Sequence, residues 1–246
     1  MFTSKVGDQP MEPPERNASF ALSCLLIGFA FGFPLAVETR SELGRKTAES
    51  GSDSGANNAL DELVGVFNLI RKMISYSTPA MDGVHMSELG GLLFVGQGLG
   101  HELGPEQQGQ TQAEAQTQAQ PSHHAINNLN TLLNKLYPPH HKTHQIISST
   151  LSYLSKLLTG LDANAELVSL SFMWVCDVPA EFIDLVQVYD PLALVVLAHY
   201  CVVLHRLRER WWIATWGERV LDDIKGILGV AWSGEVEWAV GMVNQG

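Results

Sequence analysis

The stretch DPLALVVLAHYCVVLHRLRERWW, Asp190 to Trp212, limits what this chain can fold into more than any other. From Pro191 to Leu204 it carries no charged side chain, and His199 is the main interruption. It can be read as a membrane span, as a site built on His199, Cys201 and His205, or as the central helix of a core. A bilayer crossing needs about 20 apolar residues, and the run ends at Arg206. His199 and His205 are six residues apart, which places them about 120° apart around a helix, and Cys201 falls on another side. One site using all three would need a bent helix. The central-helix reading remains. Pro191 suits a first turn, where its missing N–H costs nothing. An apolar surface on every side is what a helix wrapped by others requires. Arg206, Arg208 and Arg210 mark the return to solvent. On this reading His199 is a hydrogen-bonded core histidine and His205 sits at the edge.

The rest of the chain supplies the wrapping. Of 246 residues 46% are hydrophobic and 17% charged, enough for a sizeable core. The formal net charge is −11 and the 15 lysines and arginines are scattered. Direct nucleic-acid binding is therefore not expected, because phosphate contact needs a concentrated positive face. The three cysteines, Cys24, Cys176 and Cys201, are far apart in apolar surroundings. They read as buried free thiols rather than a disulfide framework.

Helical periodicity then orders the segments. Residues 1–16 are polar and Pro-rich and read as a disordered N-terminus. Ala18 to Val37 carries no charge and has the length of a span, but Gly28, Gly32 and Pro34 make it a poor one. A core helix stopped at Pro34 is the preferred reading, and a small membrane-anchored protein using residues 18–37 is the alternative. Residues 38–57 read as a flexible loop. An amphipathic helix follows, capped by Asn57 or Asn58, with Leu60, Leu63, Phe67, Ile70 and Ile74 on one face. Gly90 to Gly104 looks superficially like a phosphate loop but lacks the G-x-G-x-x-G spacing and a helix behind it. Residues 104–122 form a Gln-rich insert expected to be disordered. Further helices are marked by Ile126 to Leu136, by Ile146 to Leu158, by Phe182 to Tyr189 after Pro179, and by Ile213 to Leu228. No segment alternates with period two. The fold class expected is all-α, an irregular multi-helix bundle with a buried central helix near 191–207 and disordered inserts. The helical domain spans 17–238, and 239–246 form a C-terminal tail.

Few side chains group as chemistry would require. His140, His141 and His144 follow Pro138-Pro139 and read as a solvated turn, as do His123 and His124. Asp222 and Asp223 read as a solvated helix face. No catalytic, metal or DNA-binding residues are assigned, and no enzyme activity or cofactor is expected of these residues. The six tryptophans all fall in the last third. Their density fits a helical core or an apolar ligand pocket. The pocket candidates are Trp174, Tyr200, Trp211 and Trp212.

The same region carries a family resemblance. Trp174 precedes Val178-Pro179 with Phe182, Ile183 and Leu185. Then come Pro191, Ala193, Leu194, Val195, Leu197, Ala198, His199 and Tyr200, the continuation Val203 to Leu207, Trp211-Trp212, and the pair Trp216-Gly217. This frame resembles the regulatory domain of fungal zinc-cluster transcription factors of the sterol uptake control type. Asn17 to Ala36 and Leu60 to Ile74 are similar to earlier helices of that domain, with Lys72 where the family has glycine. The resemblance implies an all-helical regulatory domain of a nuclear regulator of RNA polymerase II transcription, with a sterol-like apolar ligand and protein partners in the transcription machinery. Zinc belongs to that family's DNA-binding module, which needs six cysteines. The three present do not supply it, so a truncated member is the expectation. The resemblance implies the nucleus, with the cytoplasm as second choice and a membrane as a minor alternative.

Overall fold

The computed structural model describes residues 22, 25–36, 58–77, 121–162 and 167–245. Among these the architecture is all-α, with no strand. The helices are α1 (Leu25–Ala36), α2 (Ala59–Ser77), α3 (Pro121–Leu136), α4 (Lys142–Asp162), α5 (Leu167–Asp177), α6 (Ala180–Gln187), α7 (Pro191–Arg206), α8 (Trp216–Leu228) and α9 (Ser233–Asn244), with a single 3-10 turn at Val230–Trp232 before the last.

Helix α7 is the axis of the bundle. Every residue from Leu192 to His205 is buried, none more than 3% exposed. Helices α4, α5, α6, α8 and α9 surround it, so the uniformly apolar stretch finds an apolar partner on each side. Its start is set by Asp190, whose Oδ1 accepts the Ala193 N–H at 3.0 Å, with Pro191 in the first turn. The chain reaches that point through a corner of 106° between α6 and α7. Tyr189 turns it in the left-handed region, at φ 56°. That conformation is costly for an aromatic residue. It is held by backbone bonds from Tyr189 to Val186 and from Asp190 to Leu185, and by the Tyr189 hydroxyl, which donates to Asp61 of α2 at 2.9 Å.

Helix α8 makes the closest approach to α7, and Gly217 explains how. A Cβ there would lie 2.7 Å from both the Cys201 carbonyl oxygen and the His205 amide nitrogen. Helix α2 closes another side with Leu60, Leu63, Phe67 and Ile70, all buried. Its first turn is tied twice: the Leu60 N–H is shared between Asn58 Oδ1 at 2.9 Å and Asp223 Oδ2 of α8 at 3.1 Å. The Arg219–Glu62 pair, 3.4 Å, joins the same two helices. Helices α3 and α4 form a hairpin at one edge.

Several boundaries differ from the sequence expectation. Helix α1 passes Pro34 by two residues; a proline this near a C-terminus removes one backbone bond without ending the last turn. Helix α3 begins at Pro121, so the Gln-rich insert ends before 121 rather than at 122, and Ser122 is buried. The expected tail is helical instead: α9 runs to Asn244 and buries Ala239 and Val243. Helix α5 was not expected from periodicity, because its apolar content is high on most sides. The N-terminal segment 1–16, the loop 38–57, the glycine-rich segment 90–104, Cys24 and the insert up to 120 lie outside the described residues. Among the described residues no single helix is long and apolar enough to cross a membrane; only the bent pair α6–α7 passes by composition.

Candidate functional site

The candidate pocket residues occupy three environments. Trp174 on α5 and Tyr200 on α7 are buried and stacked, with ring centroids 4.2 Å apart at 15°. Phe67 of α2 meets both edge-on, at 6.3 and 5.7 Å, and Phe182 of α6 closes the far side at 5.9 Å. Four helices thus meet in one aromatic cluster. Trp212 belongs to a second cluster: it stacks on Phe172 at 5.7 Å and contacts Phe31 of α1 at 5.8 Å. Trp216 completes that cluster, donating its Nε1–H to the Phe31 carbonyl at 3.0 Å and so fastening α1 to α8. Trp211 is in neither cluster; it is 73% exposed. The structure therefore brings Trp174 and Tyr200 together and places Trp211 and Trp212 elsewhere.

The first cluster contains under-bonded polar atoms. Ser171 Oγ and Trp174 Nε1, one helical turn apart on α5, are buried without a hydrogen-bond partner. The Tyr200 hydroxyl reaches the Ser171 carbonyl only at 3.4 Å. Burial raises the Tyr200 pKa well above its ordinary value, so the hydroxyl stays a neutral donor and acceptor. The four rings are buried and in mutual contact, so the cluster is packed core in this structure.

His199 occupies the core as expected. It is buried, its Nδ1–H donates to the Val195 carbonyl at 2.8 Å, and its ring stacks on Trp238 at 5.1 Å. Burial lowers its pKa to about 4, against the smaller opposing effect of that bond. It is therefore a neutral packing residue at physiological pH. His205 is not at the edge: it is only 3% exposed, because α8 packs over the end of α7. Its Nδ1 lies 3.3 Å from Glu218 Oε1. Burial, then the neighbouring Arg208 charge, lower its pKa, while Glu218 opposes them.

Burial pushes the Cys176 thiol up to about 12 and raises that of Cys201 still further; Cys176 Sγ donates to the Phe172 carbonyl. Neither is a thiolate nucleophile. The histidines expected in turns do not converge and are partly helical: His141 stacks on Tyr137, while His144 lies in α4 and bonds Asn134 at 3.0 Å. His123 and His124 lie in α3, where His123 pairs with Asn127. Among the described residues no group of three or more His, Cys, Asp or Glu is placed to hold a metal ion. Asp222 lies on an exposed face with Lys225 at 2.9 Å, but Asp223 does not; it is the second acceptor at the start of α2. Arg71 of α2 bonds across the fold. Its guanidinium donates to the Val175 carbonyl at 2.9 Å and the Val178 carbonyl at 2.7 Å, satisfying the end of α5 and the link to α6. A groove of about 570 Å³ lies between α8 and α9, lined by Leu228, Val230, Val236 and Val240 together with Lys225 and Glu237.

Comparison with known proteins yields no assignment: no family model, no curated protein and no solved structure matches the chain.

Proposed function

We propose that the chain is the regulatory domain of a fungal RNA polymerase II transcription regulator of the zinc-cluster type, sensing a sterol-like apolar ligand and acting through protein partners in the nucleus. The supporting observation is the Trp174–Tyr200 cluster. Residues of the quoted frame that lie apart in the chain (Trp174, Phe182, Tyr200) pack together there, and Trp174 Nε1 and the nearby Ser171 Oγ on α5 are buried without a hydrogen-bond partner. A frame whose members pack mutually is what a domain signature requires, and the under-bonded atoms suit the single hydroxyl of a sterol. DNA contact is not assigned to these residues.

The test is a tethered reporter. The chain is fused to an unrelated DNA-binding module in a fungal host, and transcription is read with sterol synthesis active and blocked. The expected result is output that changes several-fold when sterol is depleted and becomes insensitive in Ser171→Ala/Tyr200→Phe. Output equal to that of the unfused module in both conditions would refute regulation. Output that differs from the module but ignores sterol would remove the sensing half.

A further inference from the structure

The sequence has no Asp or Glu between Glu114 and Asp162, although the chain holds 26 acids and a net charge of −11. The same stretch carries Lys135, Lys142 and Lys156 and five of the nine histidines. Folding makes one body of it: α3 and α4 pair as the hairpin at the edge of the bundle, and α3 packs chiefly on α4. Leu136 apart, every exposed position of α3 is His, Asn, Thr or Lys. Successive residues advance about 100° around a helix, which gathers His123, His124, Asn127, Thr131, Asn134 and Lys135 on one side. The exposed positions of α4 are Lys142, Gln145, Lys156, serines and a threonine, and the exposed turn between the helices adds His140 and His141.

Little of this charge is neutralised. Among the described residues the hairpin makes one ion pair, Lys142 with Glu181 of α6, at 4.0 Å between exposed side chains. The other carboxylate in contact with it, Asp190 at the corner of α6 and α7, accepts from Tyr137 at 3.4 Å and from the Ala193 N–H. We propose that the outer face of the α3–α4 hairpin docks an acidic segment of a partner protein, its carboxylates lying along the lysines and histidines. The exposed Asn, Ser and Thr side chains supply neutral donors between them. Charge complementarity sets the sign of the partner, and the number of cations sets its class. Three lysines without an arginine are too few for a nucleic-acid backbone, whose binding rests on many phosphate contacts. Leu136 is the only large apolar side chain exposed on the described hairpin, which is too little for a lipid surface. Histidine ordinarily gains its charge as the pH falls from 8 to about 5, while carboxylates stay largely ionised down to about pH 5. Docking therefore tightens through that range. This surface is independent of the transcriptional reading.

The test uses the full chain and a fluorescein-labelled oligoglutamate peptide at low salt, read by anisotropy at about pH 7.5 and about pH 6. The expected result is binding that is several-fold tighter at the lower pH and weakened by salt. Lys135→Glu/Lys156→Glu should bind several-fold more weakly with an unchanged melting temperature, since both positions are exposed. Lys135→Gln/Lys156→Gln removes the charges without adding any, and should show a smaller loss of the same sign even if the first variant misfolds. His124→Gln/His140→Gln should flatten the pH dependence. Absence of peptide binding at both pH values overturns the inference, as does binding that ignores the lysine substitutions. A single-stranded oligonucleotide bound more tightly than the peptide would assign the face to nucleic acid instead. Self-association dissolved by the lysine substitutions, without peptide binding, would assign it to a second copy.

Discussion

Replacing Gly217 by alanine sets a single methyl group against the backbone of another helix. The new Cβ would sit 2.7 Å from the Cys201 carbonyl oxygen and 2.7 Å from the His205 amide nitrogen, and 3.0 Å from the His205 Cα, whereas ordinary contact begins at 3.4 Å. All three are backbone atoms of α7, held by its own hydrogen bonds, so no side chain can swing aside. Helices α7 and α8 would have to part by about 0.7 Å, in a core packed as densely as an organic crystal. Overpacking of this kind costs about 1–3 kcal/mol, and rigid backbone on both sides points to the upper part of that range. The gain in helix propensity from glycine to alanine, up to ~1 kcal/mol in a helix interior, offsets little of it in a first turn. A net loss of about 2 kcal/mol lowers the melting temperature by roughly 4–8 °C for a domain of this size. Gly226 supplies the control. It lies in the same helix, α8, and a Cβ there would meet nothing within 4 Å. Gly226 lies in the last turn, where propensity counts for less, so Gly226→Ala should leave the melting temperature unchanged or raise it by at most roughly 2 °C. Thermal melts and urea titrations of the two variants decide the matter. Shifts of the same sign and size, or a stabilised Gly217→Ala, would refute the close packing of α8 on α7.

Arg71→Met should destabilise the fold by about 2–4 kcal/mol, because two carbonyls at the end of α5 lose a charged donor; urea unfolding measures it, and a change under 0.5 kcal/mol (on the order of surface substitutions) would exclude the role. Asp223→Ala should cost about 1 kcal/mol, the usual value of a lost helix-start acceptor, with hydrogen exchange rising first at the beginning of α2. His199 sets a pH dependence. Its folded pKa of about 4 lies below the ordinary value of 6.5, so the unfolded chain binds the extra proton. The stability contributed by the neutral ring is complete above about pH 6.5 and falls as the pH drops toward 4, by about 3 kcal/mol at most. Unfolding titrations across that window should show the slope, and His199→Gln should reduce it; an identical slope in the variant would assign it to other groups.

The sequence was most legible where one physical requirement dominated. The run from Pro191 to Leu204 admits no solvent on any side, so its central place followed directly, and the faces of α2, α3, α4 and α8 followed from periodicity. Boundaries were less legible where neighbours overrode local signals: Pro34 does not end α1, and α9 continues through 239–244 because Ala239 and Val243 have a core to enter. Helix α5 has an apolar composition that gives periodicity little contrast. The four aromatics offered as one pocket do not group as one: Trp174 and Tyr200 stack in the core, but adjacent residues on a turn point different ways, so Trp211 faces outward while Trp212 enters another cluster. His205, Asp223 and Arg71 owe their roles to contacts across 100 residues or more, or to the covering of one helix end by the next. A linear pattern does not carry such pairings.

Helix α7 has no weather side. In most helices the exposed edge lets a few amides open and reclose while the rest of the fold stands. Here every residue from Leu192 to His205 is enclosed by five other helices, so water reaches its amides only when the bundle comes apart. Its amide protons should be the last in the molecule to exchange, at a rate set by global unfolding, which makes this one helix a built-in gauge of the stability of the whole.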